Sequence, residues 1–202
     1  MKYEKIEELL SAMWEKTGLG RLGTGTADSP ETAVTGAAAA AVHQQIQSSD
    51  LAFVKVPADR GRHLIMDLRD HFGFTHLVFL TASDYMESGV FTLTYMLHSY
   101  TRHWDIGVQI DLPREGSTME SIHDLWAQAA TYQRELREMF GIDFPGSPRI
   151  DEPFILEGWD DVPPMRREFD TKEYSERTFF PRPGRSTNDP AGYMRQKLYP
   201  KE

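Results

Sequence analysis

Residues 104–112 alternate without a break. Trp104, Ile106, Val108, Ile110 and Leu112 fall on one side, and Asp105, Gly107, Gln109 and Asp111 on the other. Successive strand side chains point to opposite faces, so this is a strand with one buried and one wet face, the mark of an antiparallel sheet. Val90–Leu97 repeats the pattern, with Phe91, Leu93, Tyr95 and Leu97 opposite Thr92 and Thr94. Leu51–Val56 and His76–Thr81 are short apolar runs of strand type. A sheet wet on one face must bury the other, and helical patterns supply the cover.

Three segments have the 3.6-residue stripe. Residues 3–15 carry Ile6, Leu9, Leu10, Met13 and Trp14. Pro57 suits a first helical position, and Leu64, Ile65 and Leu68 continue to about His71, with Gly73 as the stop. Ser117 and Glu120 make an S-x-x-E capping box. From there Ile122, Leu125, Trp126, Ala129, Tyr132, Leu136, Met139 and Phe140 hold one stripe to Gly141, which predicts a helix about 34 Å long at ~1.5 Å per residue. Ala37–Gln47 also reads as helix on alanine content alone. The expected fold class is α+β: a small, mostly antiparallel sheet with helices on one face, plus an extended C-terminal tail. The expected organisation is an N-terminal helix and Gly/Ala-rich linker over 1–49, the α+β domain over 50–146 and the tail over 147–202.

The tail loses all periodicity at its prolines, yet keeps Phe154, Ile155, Leu156, Trp159, Phe169, Tyr174, Phe179, Phe180, Tyr193 and Tyr199. Disordered segments lack such side chains, so these need a surface to cover them, expected on another subunit. Its charge is segregated: Asp151, Glu152, Glu157, Asp160 and Asp161 come first, then Arg177, Arg182, Arg185, Arg195, Lys197 and Lys201 against Asp189. This suggests a strap meeting first a positive and then a negative partner surface.

Chemistry is sparse. The chain has no cysteine, hence no thiolate metal site, no cysteine nucleophile and no iron–sulfur cluster of its own. A net charge of −9 argues against a nucleic-acid partner. No run of about 18 apolar residues or signal-like N-terminus is seen, so the chain is expected to be cytoplasmic. Gly18-Leu19-Gly20-Arg21-Leu22-Gly23 fits G-x-G-x-x-G but follows a helical pattern rather than a strand, and is read as linker that binds no nicotinamide. None of the seven histidines has metal-ligand spacing; His103 and Asp105 share a strand face, a weak pair. Arg134 and Glu138 stand at i, i+4 and are expected to pair, with Glu135 beside the apolar seam. Replacing Glu135 is expected to impair folding or assembly rather than a chemical step.

The run Ser121-Ile122-x-x-Leu125-Trp126-x-x-Ala129-x-x-Tyr132-x-Arg134-Glu135-x-x-Glu138-Met139-Phe140-Gly141-Ile142-x-Phe144 resembles the signature helix of the respiratory-chain NADH dehydrogenase 30-kDa subunit family. Gly158-Trp159 and Pro164-Met165-Arg166-Arg167-Glu168-Phe169 resemble a second segment of that family in order and spacing, and the likeness covers about residues 50–170. Gln133 and Ser147 depart from it, where the family usually has Glu and His. The resemblance implies a subunit without catalytic residues, cofactor or metal, in the peripheral arm of a complex-I-like oxidoreductase. The implied partners are a large hydrogenase-like subunit and neighbouring iron–sulfur subunits. Iron–sulfur clusters, or nickel–iron, would then sit in those partners, and the membrane would be met only through the complex, at the inner face. Arg134, Glu135, Glu138, Phe140, Gly141, Trp159, Arg166, Arg167 and Phe169 are the implied partner-binding or structural residues. An energy-converting membrane-bound [NiFe] hydrogenase would use the same scaffold role. A free-standing enzyme is the other alternative.

Overall fold

The computed structural model describes residues 4–17, 43–179 and 194. Within them lie α1 (Ile6–Thr17), β1 (His43–Ile46), β2 (Leu51–Lys55), α2 (Ala58–Phe72), β3 (His76–Tyr85), β4 (Val90–Ser99), β5 (Trp104–Pro113), α3 (Ala129–Phe140) and α4 (Thr171–Phe179). The strands form one sheet in the order β1-β2-β5-β4-β3. Three pairings are antiparallel, and β2 lies parallel to β5, with Val54 opposite Val108. A parallel pair needs a long crossover, and here α2, β3 and β4 intervene. The fold is α+β, mostly antiparallel, as its alternation implies.

Register puts the apolar set on one face. Ala52, Ile106, Leu97 and Leu77 follow one another across the sheet, as do Val54, Val108, Tyr95 and Leu80. All eight are buried. The helices cover this face: α2 lies on β5, α3 on β3, and α1 on α2. Gly61 permits the close approach of α2, because a Cβ there would collide with Ile110 Cδ1. Ile6, Leu9, Leu10 and Met13 of α1 are fully buried in the same core, and Trp14 Nε1 donates to Gln44 Oε1 of β1 at 2.6 Å.

Several expectations are corrected. His43–Ile46 is a strand, not helix, since β1 takes its hydrogen bonds from β2; the rest of the Ala37–Gln47 reading lies partly outside the described residues. Gly18–Gly23 also lies outside them, directly after α1. The long helix is only its last 12 residues, roughly 18 Å at 1.5 Å per residue. Its capping box does not form. Ser117 Oγ donates to the Pro113 carbonyl, while Thr118 and Asp143 form a parallel bridge in which the Met119 amide reaches Asp143 O at 3.0 Å. Two arginines of α2 then compete for the carbonyls a helix would have used: Arg62 donates to Ser121 O at 2.8 Å and Arg69 to Leu125 O at 3.2 Å. His103 stands in a turn at φ +55°, and Asp105 meets His98 across the ladder at 2.8 Å.

Candidate partner-binding site

The site forms where α3 meets residues 147–179. Leu136 and Phe140 anchor α3 in the core, and Phe140 meets the Phe91 ring edge-on at 5.8 Å. Gly141 ends the helix at φ +77°, a conformation that costs a residue with a Cβ roughly 1–2 kcal/mol. Its Cα also faces Arg166: a Cβ would stand 2.8 Å from Arg166 Nη2. Arg166 Nε donates to the otherwise unpaired Phe140 carbonyl at 2.7 Å, so the later segment caps the helix.

Glu138 does not pair with Arg134. Its carboxylate accepts three successive amides, from Phe154 at 2.6 Å, Ile155 at 2.9 Å and Leu156 at 3.1 Å. Arg134 turns to Glu152 at 3.8 Å, and its guanidinium lies 5.6 Å from the Phe154 ring centre. The expected i, i+4 pair gives way because three incoming backbone donors take the carboxylate, and Arg134 Nε is left buried without a hydrogen-bond partner among the described residues. Arg137 holds Asp151 at 2.5 Å. Glu135, placed beside the apolar seam, is half-buried with no hydrogen-bond or ion-pair partner among the described residues.

A second tie lies at the ends of β3 and β5. Asp84, only 3% exposed at its side chain, accepts Arg114 Nε at 2.8 Å, Arg114 Nη2 at 3.0 Å and the Arg167 amide at 3.0 Å. Arg114 also reaches Glu168, and the Arg114 and Arg166 guanidinium carbons each lie 5.4 Å from the Phe91 ring centre. Burial raises the Asp84 pKa, but the Arg114 hydrogen bonds, the Arg167 amide and the nearby positive charges outweigh it and hold the carboxyl below its ordinary range. Glu168 is lowered too, burial being opposed by a backbone hydrogen bond and by Arg114. Arg167 takes Glu87 at 3.1 Å. Thus Arg166 and Arg167, implied as partner-binding or structural residues, are engaged within the chain.

The aromatic side chains are likewise partly housed. Trp159, Phe169 and Tyr174 form a trio with ring centres 4.9 to 5.5 Å apart, and α4 supplies Tyr174 from a stretch read as extended. What stays outside is aliphatic: Ile155 is 66% exposed, Met165 58% and Val162 39%. Asp84 and Arg114 were missed in the sequence, and Phe91 was read only as a strand side chain of the apolar face. Their signal was that Asp84 keeps phase with Leu80 and Ala82 on the buried face, where a carboxylate needs a cation. The two departures are buried: Gln133 is fully enclosed, accepting Ser121 Oγ at 2.8 Å, and Ser147 is 5% exposed. Gln133 Nε2 and Ser147 Oγ are buried without a hydrogen-bond partner among the described residues.

Among the described residues no three His, Asp or Glu side chains converge as a metal site, and no helix is long and apolar enough to cross a membrane. Fold and site together define an α+β domain whose C-terminal segment is strapped back across its own α3. Residues 54–175 match the family described as respiratory-chain NADH dehydrogenase, 30 Kd subunit, and the chain belongs to that family. It is 34% identical over 101 residues to the C subunit of NADH-quinone oxidoreductase from Moorella thermoacetica, covering 50% of this chain and 68% of that one. It is 33% identical over 79 residues to the C/D subunit of NADH-quinone oxidoreductase from Pseudomonas fluorescens, 39% of this chain but 13% of that longer protein. In fold it resembles a chain of the membrane-bound sulfane sulfur reductase, an archaeal respiratory membrane complex. That likeness has TM-score 0.70 and 22% identity, over 91% of this chain and 96% of that one. A trypsin-resistant fragment (1-134) of Nqo5 matches with TM-score 0.52 and 20% identity, over 71% of this chain and 97% of the fragment.

Proposed function

We propose that this chain is a non-catalytic structural subunit in the peripheral arm of a complex-I-like, membrane-bound oxidoreductase of the NADH:quinone type. In this role it packs against a large hydrogenase-like subunit and neighbouring iron–sulfur subunits, on the cytoplasmic side. The observation that carries the reading is the outer surface of the strapped segment. Ile155, Val162 and Met165 point outward from a backbone fixed by Glu138, Asp84 and Arg166, so a partner would meet apolar side chains whose ordering cost is already met. Supporting it, the charged groups with displaced pKa values at this seam, Asp84, Arg114 and Glu168, are joined to one another as a structural tie. The Pseudomonas relative, whose name joins C and D in one protein, supports a large partner held at close range.

The test is affinity purification of the tagged chain from its native membranes, with iron and nickel measured in the eluate. Wild type should bring down an iron-containing complex. Ile155→Asp with Met165→Asp should leave the fold intact and abolish co-purification. Wild-type recovery by the double variant, or redox activity of the isolated chain, would refute the scaffold role. The second reading places the same scaffold in an energy-converting membrane-bound [NiFe] hydrogenase or related ion-pumping complex. In its favour is the length of the fold likeness to the sulfane sulfur reductase chain, and nickel in the eluate would decide for a hydrogenase.

A further inference from the structure

Of the two outer strands of the sheet, β1 is four residues long and β3 ten. In an antiparallel pair alternate residues turn their N–H and C=O away from the neighbour, so a long edge can take a strand from another chain. Such edges are ordinarily blunted by lysine, proline, a bulge or a cover. The first part of β3 is blunted in this way. It carries a bulge between Leu77 and Phe79, and Trp126, Gln128 and Tyr132 donate to the carbonyls of Thr75, Leu77 and Val78. From Phe79 to Tyr85 the edge is open: among the described residues no hydrogen bond from outside the sheet reaches this backbone. The stretch has no lysine or proline, and its one charge, Asp84, is turned inward and neutralised by Arg114. Phe79 is 36% exposed and Tyr85 50%, with Val78 and Met86 exposed just beyond them and Thr81 and Ser83 exposed between.

We propose that in the isolated chain this edge is covered by the same edge of a second copy, antiparallel about a two-fold axis at Ala82. The open stretch is centred on Ala82, so this register uses all of it. It sets Phe79 against Tyr85 of the second copy, Thr81 against Ser83, and Ala82 against itself. In the same register the exposed Val78 and Met86 meet across both ends. Aromatic pairs and Thr–Ser pairs are favourable cross-strand neighbours. No like charges are opposed, since Asp84 stands opposite Leu80 and is already neutralised. On the helix-covered face the axis falls on the smallest side chain of β3. A two-fold interface requires a surface complementary to itself, and this edge meets that requirement. The pairing belongs to the isolated chain and does not depend on the complex-subunit reading.

Sedimentation equilibrium of the full-length chain tests this. The average mass should rise from 23.1 kDa toward twice that value as concentration is raised. Thr81→Lys with Ser83→Lys sets like charges opposite one another, and Thr81→Glu with Ser83→Glu does so with the other sign, so each double variant should stay monomeric. Mixed together, the two should pair, because every lysine then faces a glutamate. The chain has no cysteine, so Ala82→Cys should close a disulfide between copies under mild oxidation. Tyr85→Cys, roughly 20 Å from its own copy at ~3.4 Å per residue, should not. A wild-type chain that stays monomeric at every concentration would overturn the pairing and leave the edge to a strand of another protein. Undiminished association of the lysine variant would overturn it equally. So would failure of the mixed variants to associate, or cross-linking through Tyr85→Cys as readily as through Ala82→Cys.

Discussion

Removing the Glu138 carboxylate should release the segment after α3 without unfolding the sheet. Three amides converge on it, those of Phe154 and Leu156 part-buried and that of Ile155 exposed. Hydrogen bonds to a charged acceptor contribute about 1.5–3 kcal/mol each where water cannot replace them. Water can replace the exposed one in Glu138→Ala, so two count fully, and about 3 kcal/mol is lost. At 1.4 kcal/mol per factor of ten, local opening becomes roughly a hundredfold more frequent. Hydrogen exchange at the Trp159 amide is the assay, because that amide donates to Leu156 O and not to Glu138, and so reports opening of the loop itself. It should exchange about a hundredfold faster while β4 and β5 keep their protection, since neither strand touches Glu138 through a hydrogen bond. An unchanged Trp159 amide would show that the carboxylate does not hold the segment. Equal acceleration in β4 and β5 would show that the loss is global and the reasoning about a local strap is wrong.

Glu135→Ala should shift the denaturant midpoint by less than the equivalent of about 0.5 kcal/mol, because nothing described pairs with the side chain. Gly141→Ala should cost about 2 kcal/mol in urea unfolding, from the left-handed backbone and the displacement of Arg166, with Asn milder than Ala. Asp84 and Glu168 have folded pKa values below their unfolded ones, so the stabilisation they supply is complete only above about pH 5 and is lost as pH falls through the unfolded and then the lowered values. Amide exchange of residues 165–169, taken relative to the intrinsic rate at each pH, should therefore rise more steeply from pH 6 downward in wild type than in Asp84→Asn, which lacks the titrating group.

The strands, their faces and the helices at 6–17 and 58–72 were legible in the sequence because alternation and the 3.6-residue stripe are local properties of the chain. The same locality explains the excess helix over 117–128. Ile122, Leu125 and Trp126 have helical spacing and are buried or half-buried, but Ser117, Thr118 and Met119 pair with Pro113 and Asp143, and Arg62 and Arg69 take carbonyls from residues 121 and 125. Apart from Pro113, those partners stand far away in sequence, and periodicity carries no trace of them. Residue identities alone placed the end of α3 at Gly141, whereas Glu138, Arg166 and Phe169 were singled out through the family resemblance. Whom they serve was decided by tertiary structure. A carboxylate four residues from an arginine pairs with it only if no better donor arrives, and three backbone amides from residues 154–156 do arrive. Likewise the prolines of the tail announced an extended backbone, but only the placement of Asp84, Arg114 and the Phe140 carbonyl turned that backbone inward onto its own domain, because buried charge and an open helix end must find partners wherever the chain brings them.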